Sequence, residues 1–126
     1  MATVRSDGAP HIVPVTFAIS NETLVTAVDA KPKRTANLQR LRNLRTNPAV
    51  SIIVDDYADD WSALWWIRID GRAKVVEGDA AGDEATERSA AIESLVAKYP
   101  QYQRTAPSGP VIIVQPTRWT AWSASE

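Results

Sequence analysis

The sequence predicts a mostly β protein of the α+β class, a small antiparallel barrel with peripheral helices. Three observations support this: the chain is short at 126 residues, its β-prone runs outnumber its helical runs, and the first three β-prone runs follow one another as in hairpins. A doubly wound parallel sheet would instead need strands that alternate with helices. We therefore expect one domain over residues 1–126, with six antiparallel strands and two helices.

The strands are predicted from β-prone runs bounded by turn residues. A run over residues 10–19 contains Pro14, which cannot donate a ladder hydrogen bond, so it must lie at an edge, at a bulge or facing a ligand. A long alternating run over residues 63–77 contains Gly71, which predicts a bend. The other strands are expected at residues 2–4, 23–28 and 49–55, and, as one strand or two around Pro116, at 111–114 and 118–123.

Two stretches have helical periodicity. Leucines spaced every three residues predict a helix over residues 35–46, which ends before Asn47-Pro48. Apolar residues around Ala91 and Leu95 predict a second helix over residues 79–98, with acidic residues on its outer face. Residues 99–110 are rich in Pro, Gln and Thr and are expected to form an irregular connection.

The first helix lies in a basic stretch that organises the chain. Between Ala30 and Val54 there is no acidic residue, although six of the fourteen Lys and Arg residues fall here. A strand that leads into a basic helix start brings together cations, hydroxyls and free backbone N–H groups, a plausible seat for a phosphate or carboxylate. The alternative is a solvated basic helix face, which is the commoner fate of such a run.

Composition excludes several classes of function. The net charge of −1 argues against bulk nucleic-acid binding, and no run of 18 apolar residues or signal-like start is present, so we expect a cytoplasmic protein. There is no cysteine and only one histidine, His11, so neither a thiolate nor a multi-histidine metal site is expected. Five tryptophans suggest an extensive interface or a pocket for a flat ring.

Four segments together resemble a known superfamily. They are ATVRSDGAPHIVPVTF, LVTAVDAKPKR, LRNLRTNPAVSIIVDDY and WWIRIDGRAKVVEG, in this order along nearly the whole chain. In this order they resemble the flavin and deazaflavin oxidoreductases with the FMN-binding split β-barrel fold, the superfamily of pyridoxamine 5′-phosphate oxidase. The resemblance is strongest to the actinobacterial branch of probable coenzyme F420-dependent enzymes. Members usually carry a short helix before the first strand, which the sequence as given does not show.

The resemblance implies a homodimer with two cofactor sites at the subunit interface. The ring system of the cofactor would lie along Pro14, Val15 and Thr16. Trp65, Trp66 and Arg68 are the candidates for the interface and the far wall of the pocket. The phosphate-side candidates are Thr26, Lys31, Lys33, Arg34 and Thr35, and, with the helix register left open, Arg42 and Asn43.

The implied activity is hydride transfer between coenzyme F420 and an unknown small molecule. The alternatives are an FMN-dependent enzyme of the pyridoxamine-phosphate-oxidase type and a flavin- or deazaflavin-binding protein without turnover. The sequence identifies no catalytic side chain, which suits a cofactor that supplies the chemistry itself. His11 could donate a proton, although a residue at a strand end is the more common interpretation.

Overall fold

A computed structural model describes residues 1–28 and 38–125 of the chain. Within these residues, seven strands form one sheet in which every neighbouring pair is antiparallel, in the order β2-β1-β5-β6-β7-β4-β3. The strands are β1 (Ala2–Val4), β2 (Pro10–Ile12), β3 (Ala18–Ser20), β4 (Thr23–Ala27), β5 (Ala49–Asp56), β6 (Trp65–Val76) and β7 (Val111–Ser123).

The strand count corrects one prediction. The single strand expected over residues 10–19 is two short strands, β2 and β3, which lie at opposite ends of the sheet order. Pro14 stands between them and, lacking an N–H, cannot continue a ladder. The sheet therefore has seven strands where six were expected. Its order is open, so the closed barrel remains a prediction.

The last strand is continuous through Pro116. β7 pairs with β6 over its whole length, and a register shift lies between Asp70 and Gly71. A side chain at Gly71 would meet the backbone carbonyl of Gln115, because an added Cβ would lie 2.5 Å from that oxygen. The bend predicted at Gly71 is therefore a bulge at which the two backbones approach too closely for any other residue.

Three helices are described. They are α1 (Gln39–Thr46), α2 (Asp83–Lys98) and α3 (Pro100–Arg104), besides a 3₁₀ turn at Trp61–Ala63. The expected helix over residues 35–46 begins at Gln39, because Leu38 has an extended backbone. The missed helix α3 starts at Pro100, and proline at the first helical position is a recognised start signal.

Two apolar clusters cover the two faces of the sheet. Alternate residues of a strand point to opposite faces, so Leu24 and Ile112 join one cluster while Val25 and Ile113 join the other. Helix α1 packs on the first cluster, whereas α2 and α3 pack on the second. The chain between β2 and β3 passes the edge of both, because Phe17 packs against the first cluster and Ala18 belongs to the second.

Candidate functional site

Residues 13–17 form an extended segment that belongs to no strand. Its start is tied to the beginning of the chain, because the Val13 N–H donates to the carbonyl of Met1 at 3.1 Å and the Val13 carbonyl accepts from the amino group of Met1 at 2.8 Å. Its end is tied to α2 and α3. The segment is thus held at both ends without being paired along its length.

The end of the segment at Phe17 is held by hydrogen bonds from side chains that are distant in sequence. The Tyr99 hydroxyl accepts from the Phe17 N–H at 3.0 Å and donates to the Phe17 carbonyl at 2.9 Å. Lys98 Nζ donates to the same carbonyl at 2.8 Å. The Tyr102 hydroxyl lies 3.2 Å from Thr16 Oγ1, a hydrogen bond in which either oxygen can be the donor.

Among the described residues, the backbone between these two anchored ends has no hydrogen-bond partner. The carbonyls of Pro14, Val15 and Thr16, and the N–H groups of Val15 and Thr16, make no hydrogen bond to another described residue. Pro14 and Thr16 are exposed, while Val15 packs against the first apolar cluster. An unpaired backbone edge that is held in place offers alternating donors and acceptors to a ligand.

This edge lines a cleft of about 310 Å³. Its lining residues come from three places: the segment itself, the end of β4 and the start of α1. They are Pro14, Val15, Thr16, Thr26, Ala27 and Arg40. Thr26 lines the cleft although only 2% of its surface is exposed. Its hydroxyl makes no hydrogen bond to another described residue.

Arg40 is the one charged side chain among the described residues that line the cleft. Its guanidinium is a secondary cause, after burial, of the lowered pKa of the Met1 amino group, since a nearby positive charge disfavours protonation. The side chain is half-buried and makes interactions of its own. A cation and a hydroxyl-bearing side chain that line the same cleft are an arrangement that suits an anionic group.

A second, larger cleft shares the wall formed by Pro14 and Val15. It has a volume of about 420 Å³ and is lined mainly by apolar side chains, those of Met1, residues 12–15, Phe17 and residues 52–54. Asp55 provides the one charged side chain among its described lining residues. Two cavities of unlike character, one with Thr26 and Arg40 and one mainly apolar, thus share Pro14 and Val15 as lining residues.

The structure brings four of the predicted site residues together and places others elsewhere. Pro14, Val15, Thr16 and Thr26 line the smaller cleft. Arg42 is exposed on α1, where it donates to Gln39, and does not line this cleft. The remaining phosphate-side candidates, Lys31, Lys33, Arg34 and Thr35, lie outside the described residues.

Asn43, a predicted phosphate-side residue, instead makes buried hydrogen bonds within the fold. It is buried, its amide donates to Thr3 Oγ1 at 2.9 Å, and its carbonyl oxygen accepts from Gln39 Nε2 at 2.7 Å. These bonds connect α1 to β1. The predicted far-wall residues Trp65, Trp66 and Arg68 lie on β6 and do not line the cleft of Thr26 within this chain.

The three far-wall residues belong to a separate aromatic surface. The Arg68 guanidinium lies 5.8 Å from the centre of a Trp66 ring, and Trp66 pairs with Trp122 across β6 and β7. Trp122 is 45% exposed. Trp65 and Trp66 also line a shallow cleft of about 410 Å³ beside Trp122.

Sequence reasoning missed three residues of the site. Arg40 was counted only as part of a basic run, because the helix register that directs it to the cleft could not be fixed. Tyr99 and Tyr102 lie in a stretch interpreted as irregular. The signal that could have found the tyrosines is Pro100 at a helix start, which would have placed both near one helix end.

The described residues contain neither a cluster of metal ligands nor a helix that could span a membrane. Among residues 1–28 and 38–125, no group of three His, Cys, Asp or Glu side chains could hold a metal ion. In the same part of the chain, no helix is long and apolar enough to cross a membrane. His11 lies on β2 opposite Thr3, and its Nδ1 is buried without a hydrogen-bond partner among the described residues.

Comparisons with known proteins give a family and a fold. A family profile described as pyridoxamine 5′-phosphate oxidase matches residues 1–123. No curated protein sequence matches the chain significantly.

Several solved structures are similar. The conserved hypothetical protein Rv2991 from Mycobacterium tuberculosis has a TM-score of 0.67 at 24% identity, over 98% of this chain and 74% of the other. An FAD-binding protein from Mesorhizobium loti has a TM-score of 0.63 at 20% identity, over 95% and 79%. The heme storage protein HutZ from Vibrio cholerae has a TM-score of 0.68 at 19% identity, over 97% and 82%. This chain spans about half of two further similar structures, 49% and 51% of their lengths.

Proposed function

Because the chain belongs to the pyridoxamine 5′-phosphate oxidase family, we propose that it is an oxidoreductase that binds a flavin-type cofactor in the cleft lined by residues 14–16, Thr26 and Arg40. One observation carries the proposal. It is the unpaired backbone of residues 14–16, held at both ends beside a cleft with a hydroxyl and a cation. The name of the Mesorhizobium loti protein, an FAD-binding protein, adds support from a similar fold.

The cleft fits the chemistry of such a cofactor. The pyrimidine edge of a flavin or deazaflavin alternates carbonyl and N–H groups, and the free carbonyls and N–H groups of residues 14–16 are complementary to it. Polar groups in a cleft are costly to leave without partners, so a ligand that satisfies them gains specificity. Thr26 and Arg40 would then lie toward the anionic tail.

Between cofactors, we propose coenzyme F420, with FMN as the alternative. The support is the sequence between Ala30 and Val54, where six cations occur without an acid. A tail with several carboxylates uses more cations than a single phosphate does. From the sequence alone, Lys33 and Arg34 are proposed phosphate contacts. Replacing both with Ala is expected to weaken binding at least about tenfold, as for the loss of two charge-assisted contacts.

The protein's own residues would act by positioning. The cofactor supplies a hydride from its ring system, and the chain provides binding, orientation and exclusion of water. Val15 packs on the apolar cluster and holds the backbone of residues 14–16 against the cleft. The larger cleft is the proposed place for the substrate, because it shares Pro14 and Val15 with the smaller cleft and is lined mainly by apolar side chains.

We also propose a homodimer. Trp65, Trp66 and Arg68 lie away from the cleft in the single chain, and exposed Trp122 extends their aromatic surface. Joining two copies through this surface would cover the rings. Trp122→Glu is therefore expected to convert a dimer to a monomer in size-exclusion chromatography with light scattering, whereas Ile19→Glu, on the exposed face of edge strand β3, leaves the dimer intact. A wild-type protein that is monomeric in solution would contradict the proposed homodimer.

The test of the proposed cofactor is a titration of the purified protein with F420 and with FMN, followed by cofactor fluorescence and tryptophan quenching. We expect saturable binding of at least one of the two, with F420 the tighter. Tighter FMN binding would replace F420 by the alternative. Binding of neither would refute the proposed function. A binding protein without turnover would bind its cofactor but show no reduction of quinone-like or unsaturated test substrates by the reduced cofactor.

A further inference from the structure

The peptide at Phe17 is the point where the unpaired segment is connected to the rest of the fold. Sheet pairing cannot orient the segment, because residues 13–17 belong to no strand. The orientation of the peptide groups before Phe17 therefore depends on what holds Phe17 itself. Two side chains at the end of α2 do so, Lys98 and Tyr99.

Tyr99 holds both polar groups of one residue. Its hydroxyl accepts from the Phe17 N–H at 3.0 Å and donates to the Phe17 carbonyl at 2.9 Å. A contact at two backbone groups restrains rotation of the segment about its own axis, which a single hydrogen bond does not do. Lys98 donates a second hydrogen bond to the same carbonyl, and its ammonium lies 3.8 Å from the centre of the Phe17 ring.

Tyr102 continues this restraint one residue closer to the cleft. Its hydroxyl lies 3.2 Å from Thr16 Oγ1, and Thr16 lines the cleft. Tyr102 is buried, and its ring packs edge to face on Tyr99 with centroids 5.8 Å apart and planes at 85°. The two hydroxyls are therefore presented from a rigid aromatic pair instead of from flexible side chains.

We propose that Tyr99 and Tyr102 are positioning residues for the cofactor, fixing the free backbone groups of residues 14–16 in the orientation that binds its ring. This inference rests on the proposed function of the cleft. Its physical basis is pre-organisation: a segment already ordered loses little conformational freedom on binding, so more of the interaction appears as affinity. Neither tyrosine lines the cleft, so both act through the segment.

The test removes the hydroxyls and keeps the rings. Tyr99→Phe and Tyr102→Phe are compared with Tyr57→Phe. Tyr57 is the one remaining tyrosine of the sequence, and it is exposed. For each variant we would measure the FMN and F420 dissociation constants, the visible absorption spectrum of the bound cofactor, and amide hydrogen exchange of Val15 and Thr16 without cofactor. Circular dichroism at the assay temperature reports whether each variant is folded.

We expect Tyr99→Phe to raise the dissociation constant about three- to tenfold, as for the loss of one or two neutral hydrogen bonds that order the site. The bound cofactor's spectrum should shift, and the Val15 and Thr16 amides should exchange faster. Tyr102→Phe should act in the same direction and more weakly, whereas Tyr57→Phe should resemble wild type.

Three results would overturn the proposal. If wild type binds cofactor and Tyr99→Phe and Tyr102→Phe leave affinity, spectrum and exchange unchanged, the positioning role is refuted and the proposed function is not. A weakened affinity that accompanies partial unfolding, with the spectrum of the residual complex unchanged, would assign the tyrosines a purely structural role. Failure of wild type to bind either cofactor would refute the proposed function, and the positioning role would fall with it.

Discussion

Replacing Thr26 with Val should strengthen the fold and weaken the site at once. Thr26 is 2% exposed, and its hydroxyl makes no hydrogen bond to another described residue. A buried hydroxyl without a partner costs about 1–3 kcal/mol relative to an apolar group. Thr26 lines the cleft, and its hydroxyl is not among the fully buried polar atoms without a partner in the described residues, so we expect an effect below that range. The valine variant without cofactor is then expected to gain about 0–1 kcal/mol in unfolding free energy.

Cofactor binding should change in the opposite direction. A hydrogen bond from the Thr26 hydroxyl to a charged phosphate is worth about 1.5–3 kcal/mol. Its loss corresponds to roughly a 10- to 150-fold rise in the dissociation constant. Urea unfolding followed by tryptophan fluorescence measures the first effect, and titration with FMN or F420 measures the second.

Thr3 provides a matched control with opposite expectations. It is equally buried at 2% exposure, but its hydroxyl accepts a 2.9 Å hydrogen bond from the Asn43 amide. Thr3→Val leaves that buried amide without its acceptor, which should destabilise the protein by about 1–3 kcal/mol. Cofactor affinity should stay within about twofold, a shift well under 1.4 kcal/mol. The reasoning is refuted if Thr26→Val destabilises as Thr3→Val does, or binds cofactor as tightly as wild type.

Two further predictions concern the sheet. Gly71→Ala should lower the free energy of unfolding by about 1–3 kcal/mol in urea, because its Cβ would lie 2.5 Å from a backbone carbonyl oxygen. Gly109→Ala, with open space around it, should change the unfolding free energy by less than about 0.5 kcal/mol. Equal effects of the two substitutions would contradict the close approach at Gly71. The Ser51 hydroxyl, at 2.6 Å, and secondarily nearby arginines lower the pKa of Asp70, so this contact stabilises the fold above the ordinary carboxyl pKa and is lost as pH falls through the lowered one. In an NMR titration Ser51→Ala should raise the pKa of Asp70 and leave that of Asp60 unchanged, and an unmoved Asp70 would rule out the serine as the main cause.

The sequence anticipated the fold where a local pattern determines it. The long alternating run predicted β6, and Gly71 predicted its irregularity, because period-two alternation and glycine act locally. Pro14 predicts a position that cannot pair within residues 10–19, but it does not by itself predict that the run divides into two strands. Its split into β2 and β3 depends on which strands lie next to each end, which is a property of the whole sheet.

The sequence predicted several residues that line the cleft, but not the side chains that hold residues 13–17 in place. Pro14 and Thr26 were named from the sequence, and the structure places both in one cleft. The residues that hold the segment were missed, because Tyr99 and Tyr102 are more than 80 positions away from Phe17 and Thr16. Such contacts arise only when α2 and α3 pack on the second apolar cluster. A local sequence pattern therefore cannot predict contacts between residues so far apart in the chain.

The most direct test of the central claim is a titration of the isotope-labelled protein with FMN and with F420, followed by backbone amide NMR. We predict saturable shifts concentrated at Val15, Thr16, Thr26 and Arg40, the amides that line the cleft. Shifts confined to the aromatic surface around Trp66, or no shift at millimolar ligand, would contradict the assignment of the cofactor to this cleft.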